Sequence, residues 1–205
     1  MARSIMDRVI NYYIIESLKR INNDDVYITE LVNCPMKYYL RLRYPSLMVQ
    51  YNFNEKILIG KLLHEGIESI IRRIISLANN NIEIEKPISL EIDGLRVIGR
   101  ADIVTDSEVI EIKTTRSCNG LPHDNHMLQA SIYAYALNKP SARLVYIVLN
   151  NDVRILEYYI DPITREELEK LVMEFREARP SPRYTWECNY CIFKAYCPNR
   201  VVNNQ

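Results

Sequence analysis

The stretch from Gly99 to Thr114, GRADIVTDSEVIEIKT, constrains this chain more than any other. Apolar and polar residues alternate through it with the period of two that marks strands with one buried face. A turn at Asp106-Ser107 makes it a β-hairpin that pairs Ile103 with Ile110 and Asp102 with Glu111. Directly opposed side chains have Cβ atoms about 4.5–5.5 Å apart, and like charges there repel. Two carboxylates so placed need a cation between them or a raised pKa on one of them. Lys113 shares the face of Glu111, whereas Ala101, Ile103, Ile110 and Ile112 point the other way and pin the register. The competing reading is a plain surface hairpin with a solvated polar face. The functional one is metal-assisted phosphodiester hydrolysis. Asp102 and Glu111 then hold Mg²⁺ or Mn²⁺, hard ions that prefer carboxylate oxygen, and Lys113 orients the attacking water or neutralises charge on phosphorus.

Helical patterns surround the hairpin. Residues 3–21 read as an amphipathic helix. Thr29 reads as the cap of a short second helix running through Tyr39. Residues 55–77 carry a broad apolar face at helical spacing. The period then switches to two for strands over 82–90, 95–105 and 108–114, with Asp93-Gly94 as a hairpin turn. A helix over 124–138, strands over 143–149 and 153–160, and a helix opened by the capping box Thr164-x2-Glu167 complete the order. This succession predicts one α/β domain with a mixed sheet flanked by helices. Within the single unit 1–205, residues 1–50 read as a helical N-terminal segment, 51–180 as the core and 181–205 as a cysteine-rich tail.

Lysine plus arginine and aspartate plus glutamate balance at 26 each, so an anionic ligand must be held by a local patch and not by the net field. No segment approaches the roughly 20 apolar residues that span a bilayer, which predicts no membrane partner and a cytoplasmic, reducing location. With only 5 glycines, none of them in a nucleotide-binding motif, phosphate-loop chemistry is excluded. Five cysteines in a reducing compartment point to metal before disulfides. Cys188-x2-Cys191-x5-Cys197 is a compact set of three that needs a fourth ligand, and Cys34, also followed by proline, is favoured over Cys118. Four thiolates suit structural Zn²⁺ as well as an iron–sulfur cluster, and frequency favours zinc slightly.

Lys37, Tyr38, Arg41 and Arg43 form one basic-aromatic group, and Arg183, Tyr184 and Trp186 form another. Both adjoin candidate cysteine ligands, and both have the composition that holds single strands by stacking and phosphate contact. The bland reading, a solvated helix face with core tyrosines, applies to each. His64 stands at the edge of the apolar stripe of the 55–77 helix. Gln129 and Tyr133 stand one turn apart on the helix after the hairpin.

Taken together, Gly60-x3-His64, Gly99-Arg100-Ala101-Asp102, Glu111-Ile112-Lys113, Gln129-x3-Tyr133 and the four cysteines resemble the CRISPR-associated RecB-like exonucleases. This is the Cas-four family of the PD-(D/E)xK nuclease superfamily, whose fold is a restriction-endonuclease-like core. The resemblance runs from Thr29 to Pro198. One departure is Ala101, where the superfamily motif has proline. The resemblance implies that His64, Asp102, Glu111 and the backbone carbonyl of Ile112 bind the catalytic divalent ion, with Lys113 catalytic and Gln129 and Tyr133 positioning DNA. It implies an iron–sulfur cluster on Cys34, Cys188, Cys191 and Cys197, 4Fe–4S ahead of 2Fe–2S, in place of zinc. It further implies exonuclease action on DNA, mainly single-stranded and 5′ to 3′, during CRISPR spacer acquisition with integrase proteins, and it leaves room for a homo-oligomer. The alternatives are a non-enzymatic DNA-binding module with zinc or a cluster, and a related recombination or viral nuclease.

Overall fold

Three strands carry the period-two pattern into the structure, a computed structural model: β2 (Glu83–Ile92), β3 (Leu95–Val104) and β4 (Glu108–Thr115). It describes residues 25–52, 55–77, 81–150 and 152–201, with positions 8, 9, 11, 12 and 15. The helix expected over 3–21 lies outside the described residues apart from those five positions, which are helical. Between β2 and β3 the turn residues Asp93 and Gly94 have φ of +50° and +73°. Both angles fall where a two-residue hairpin turn needs them, and glycine adopts the second without strain.

Between β3 and β4 the expected register holds, with Ile103 opposite Ile110 and Val104 opposite Val109. Thr105 N–H donates to the Glu108 carbonyl at 2.9 Å to close the turn. The ladder then stops one pair short of Asp102 and Glu111. The same edge of β3 is taken further back by β1 (Val26–Tyr27), parallel at Val97 and Ile98. β4 runs parallel to β5 (Ser141–Leu149) along its whole length, and β5 is antiparallel to β6 (Val153–Ile160). Two parallel strands need a crossover, supplied here by α5 (Asp124–Ala136). The sheet has six strands, mixed, in the order β1-β3-β4-β5-β6, with β2 on the other edge of β3.

The earlier helices are α1 (Ile28–Leu31), α2 (Met36–Arg43), α3 (Pro45–Asn52) and α4 (Glu55–Leu77). The single helix expected from Thr29 to Tyr39 is two. Tyr27, not Thr29, caps α1, because Glu30 reaches back to accept the Tyr27 N–H at 3.1 Å. The chain then breaks at Asn33-Cys34 and restarts behind Pro35. α6 (Arg165–Arg176) begins at the expected capping box: Glu167 N–H donates to Thr164 Oγ1 at 3.2 Å, and Thr164 N–H donates to Glu167 Oε2 at 2.9 Å. A short α7 (Glu187–Tyr190) lies in the cysteine-rich tail.

The main core joins Val26, Ile28 and Leu31 to Val97, Ala101 and Val109 of the sheet, Ile132 and Ala134 of α5, and Leu168, Val172 and Phe175 of α6. Each valine, leucine, isoleucine or phenylalanine among them contributes about 1.5–3 kcal/mol on burial, so the hairpin is clamped on the side that α5 covers. A Cβ added at Gly99 would lie 2.8 Å from Ile28 Cδ1 and 3.0 Å from Tyr133 Cε1, so glycine there lets β3 approach both helices. A smaller cluster of Leu144, Tyr146 and Val148 packs with Cys118, Leu121 and Met127. Among the described residues, no helix is long and apolar enough to cross a membrane.

Candidate active site and cysteine pocket

Where β3 and β4 part, side chains replace the missing ladder. Asp102 Oδ2 accepts the Ile112 N–H at 2.8 Å, so the carboxylate takes a place that a strand carbonyl would fill. Glu111 Oε1 accepts from Lys113 Nζ at 2.6 Å and from Gln129 Nε2 at 2.8 Å. Lys113 also donates to Gln129 Oε1 at 3.0 Å, and Gln129 Nε2 lies 2.9 Å from the Tyr133 hydroxyl. Asp102 is 8% exposed and Glu111 2%. The face expected to be polar is therefore roofed by α5, and the opposite face is covered as well. Glu111 Oε2 is buried and has no hydrogen-bond partner among the described residues. Burial pushes the Glu111 carboxyl up to about 8, with Asp102 and Glu85 adding to it against the pull of Lys113.

His64 of α4 faces this pair, its Nδ1 3.7 Å from Asp102 Oδ2. Burial lowers the pKa of His64 despite Asp102, so the imidazole favours the neutral form that ligates metals. One turn along α4, Glu68 completes a group with His64 and Asp102 in which one donor atom from each lies within 4.8 Å of the others. Burial, then Glu85, pushes Glu68 up to about 7. Glu85 has φ +57° and interrupts the β2 ladder opposite Asp102. Sequence reading missed Glu68 and Glu85. The signal for Glu68 was available as the i, i+4 spacing from His64. Glu85 carried none, because its place depends on the β2–β3 register. One imidazole, several carboxylates and an orphaned buried carboxylate oxygen form a donor set that fits Mg²⁺ or Mn²⁺.

These shifts set a pH dependence. Glu68 and Glu111 keep protons in the folded state up to about 7 and about 8, whereas in the unfolded chain they lose them near ~4.3. The folded state therefore binds more protons between those limits, and stability falls as pH rises through them. The chelator-treated protein is expected to melt at a lower temperature at pH 8.5 than at pH 6. Mn²⁺ should raise the melting temperature more at pH 8.5. A metal-free protein that gains stability over this range contradicts the assignment.

The four expected cysteines, Cys34, Cys188, Cys191 and Cys197, line one pocket, and Cys118 lies elsewhere in the smaller apolar cluster. Burial raises Cys191 and Cys197, with neighbouring sulfurs contributing. Glu187, 1% exposed, ties the two chain segments together. It accepts from Cys34 N–H at 2.9 Å, from Lys37 Nζ at 2.8 Å and from Tyr184 N–H at 3.0 Å. Sequence reading missed Glu187 too; an acid beside a cysteine has no pattern of its own.

The two basic-aromatic groups do come together around this pocket, but several members face inward. Arg41 is 1% exposed and its Nε lies 2.7 Å from Glu30 Oε1, which takes it out of the DNA-facing set. Tyr38 packs on the core against Phe175. Lys37 pairs with Glu187, and Arg183 Nη1 pairs with Glu174 at 2.9 Å. Arg43 is exposed, as is Trp186, which stacks on Tyr184 with ring centroids 5.8 Å apart. Tyr44 and Tyr196 form a second ring pair at 4.8 Å.

The profile of the PD-(D/E)XK nuclease superfamily matches residues 77–198, a span that holds Asp102, Glu111, Lys113, Gln129 and Tyr133. Over 194 residues the chain is 32% identical to the CRISPR-associated exonuclease Cas4 of Saccharolobus solfataricus, covering 91% of this chain and 94% of that protein. The crystal structure of SSO0001 superposes with a TM-score of 0.86 at 31% identity, over 98% of this chain and all of that one, 100%. An alkaline exonuclease from Laribacter hongkongensis shares the fold at a TM-score of 0.51 and 14% identity, over 82% of this chain and 90% of that one.

Proposed function

The chain belongs to the PD-(D/E)XK nuclease superfamily and, within it, to the CRISPR-associated Cas4 exonucleases, and from that premise we propose that it trims single-stranded DNA ends, 5′ to 3′, during CRISPR spacer acquisition. It is a nuclease. The observation that carries the reading of its site is the network in which Glu111 and Gln129 together hold Lys113 beside Asp102. Asp102, Glu111, His64 and the Ile112 carbonyl would hold the divalent ion, with Glu68 as an added carboxylate. Bound there, such an ion polarises the phosphate and lowers the pKa of water. Lys113, steered by two acceptors, places its charge where negative charge grows on phosphorus. Gln129, buried like Tyr133, would act on the strand through the Lys113 and Glu111 side chains that it holds, with Tyr133 fixing Gln129 in turn.

Cys34, Cys188, Cys191 and Cys197 would carry the iron–sulfur cluster, 4Fe–4S ahead of 2Fe–2S. Four cysteines lining one pocket supply the full set of thiolates that such a cluster needs. The exposed Trp186, the Tyr44–Tyr196 pair and Arg43 suit base stacking and phosphate contact on a single strand. Integrase proteins are the proposed partners. Free thiols suit a reducing cytoplasm.

Polarity is tested with single-stranded DNA labelled at one end, incubated with Mn²⁺. A 5′ label should appear at once in the shortest products, while a 3′-labelled strand shortens gradually. The reverse order refutes the 5′ to 3′ assignment, and intact DNA under both labels refutes exonuclease action.

A further inference from the structure

Lys113 has a second polar neighbourhood that the network with Glu111 does not use. Across the parallel ladder it is opposite Tyr146 of β5. Tyr146 is fully buried, yet its hydroxyl meets two polar atoms: the His123 N–H at 3.1 Å and His126 Nδ1 at 2.8 Å. A buried hydroxyl keeps its proton on an acceptor. His123 N–H is a donor, so among the described residues the acceptor for that proton is His126 Nδ1. The tautomer follows: Nδ1 accepts and the ring proton sits on Nε2. That Nε2 has no partner among the described residues and is not shut away from solvent. Burial first, then Lys113 and His123, pushes His126 down to about 3, so the imidazole stays neutral at any working pH.

His126, Gln129 and Tyr133 stand at i, i+3 and i+7, along one face of α5. Gln129 and Tyr133 occupy the part of that face over Glu111, and His126 continues it past Lys113. We propose that His126 is a further DNA-positioning residue, its Nε2–H donating to a non-bridging oxygen of the phosphate adjacent to the one Lys113 serves. The location of the strand rests on the nuclease reading above. A phosphate fits better than a base edge, because the group offers one fixed donor and no acceptor, and it lies beside a cation. A donor to an anion makes the stronger, charge-assisted kind of hydrogen bond. Its rigidity comes from Tyr146, which holds the ring from behind.

The test is the affinity for a single-stranded oligonucleotide, read by fluorescence anisotropy with Ca²⁺ in place of Mn²⁺ so that cutting does not intervene. His126→Leu is expected to weaken Kd about tenfold, the scale of a lost hydrogen bond to a charged group. His126→Gln, whose amide nitrogen reaches the place of Nε2, should stay within about threefold of wild type. The salt dependence of binding should keep its slope in His126→Leu, since a neutral donor displaces no counterion. Tyr146→Phe probes the same contact without touching the histidine and should fall between the two. Wild-type affinity in His126→Leu overturns the proposal, as does an equal loss in His126→Gln, which marks a merely structural role. Failure of the nuclease reading is visible separately: Lys113→Ala would then cut DNA as fast as wild type in Mn²⁺.

Discussion

Glu111→Ala and Lys113→Ala are each expected to slow cleavage of single-stranded DNA by about a thousandfold, with little change in DNA affinity. The size follows from the loss of a group that acts on transition-state charge, which costs about 10²–10³ for a single donor and more where a metal ligand goes too. The two changes act differently. Removing Lys113 leaves Glu111, 2% exposed, without its cation. Removing Glu111 frees Lys113 from one of its two acceptors and deletes the orphaned Oε2. Lys113→Arg should not rescue, because the guanidinium fork cannot occupy the point between Glu111 and Gln129 that an ammonium fills. Single-turnover rates on end-labelled DNA, with melting temperatures as a control for folding, provide the check. Cleavage by both alanine variants at the wild-type rate would remove the site from this face of the sheet.

Replacing Cys34 or Cys197 by serine should bleach the visible absorption of anaerobically purified protein and lower its melting temperature by roughly 10 °C or more. Metal–thiolate binding is folding free energy on the order of several kcal/mol, and each kcal/mol moves the melting point by ~2–4 °C in a chain of this size. The effect is large because the pocket joins the break before α2 to the C-terminal tail, where the metal would add to the bonds of Glu187 with Cys34 and Lys37 and of Arg183 with the Asn33 carbonyl. Cys118→Ser is the contrast and should leave the spectrum unchanged, since Cys118 packs with Leu121 and Met127 away from the pocket. A colourless wild-type protein with one zinc per chain would exclude the iron–sulfur assignment and keep the structural one.

Much of this architecture was legible because it is local. The strands and their turns follow from alternation and from Asp93-Gly94, and α6 follows from Thr164 and Glu167. The Asp106-Ser107 turn set the β3–β4 register correctly from hydrophobic alternation alone. Legibility ended where partners are distant in sequence. Arg41 has the look of a phosphate contact, yet Glu30 and the core claim it. The helix drawn from Thr29 is interrupted so that Cys34 can offer its N–H to Glu187, a residue 153 positions away.

What the sequence by itself determined is the five longer strands and the longer helices, the pairing of the hairpin and the presence of two carboxylates and a lysine on one face of it. Period and turn chemistry act over a few residues, and they need nothing beyond the local chain. Only the tertiary structure decided that the ladder opens at Asp102, that α5 roofs the carboxylates, and that Glu68 and Glu85 join them. Those outcomes depend on where β1 and β2 flank β3 and how the helices pack on the sheet. The desolvation that raises Glu111 exists only once that packing is complete.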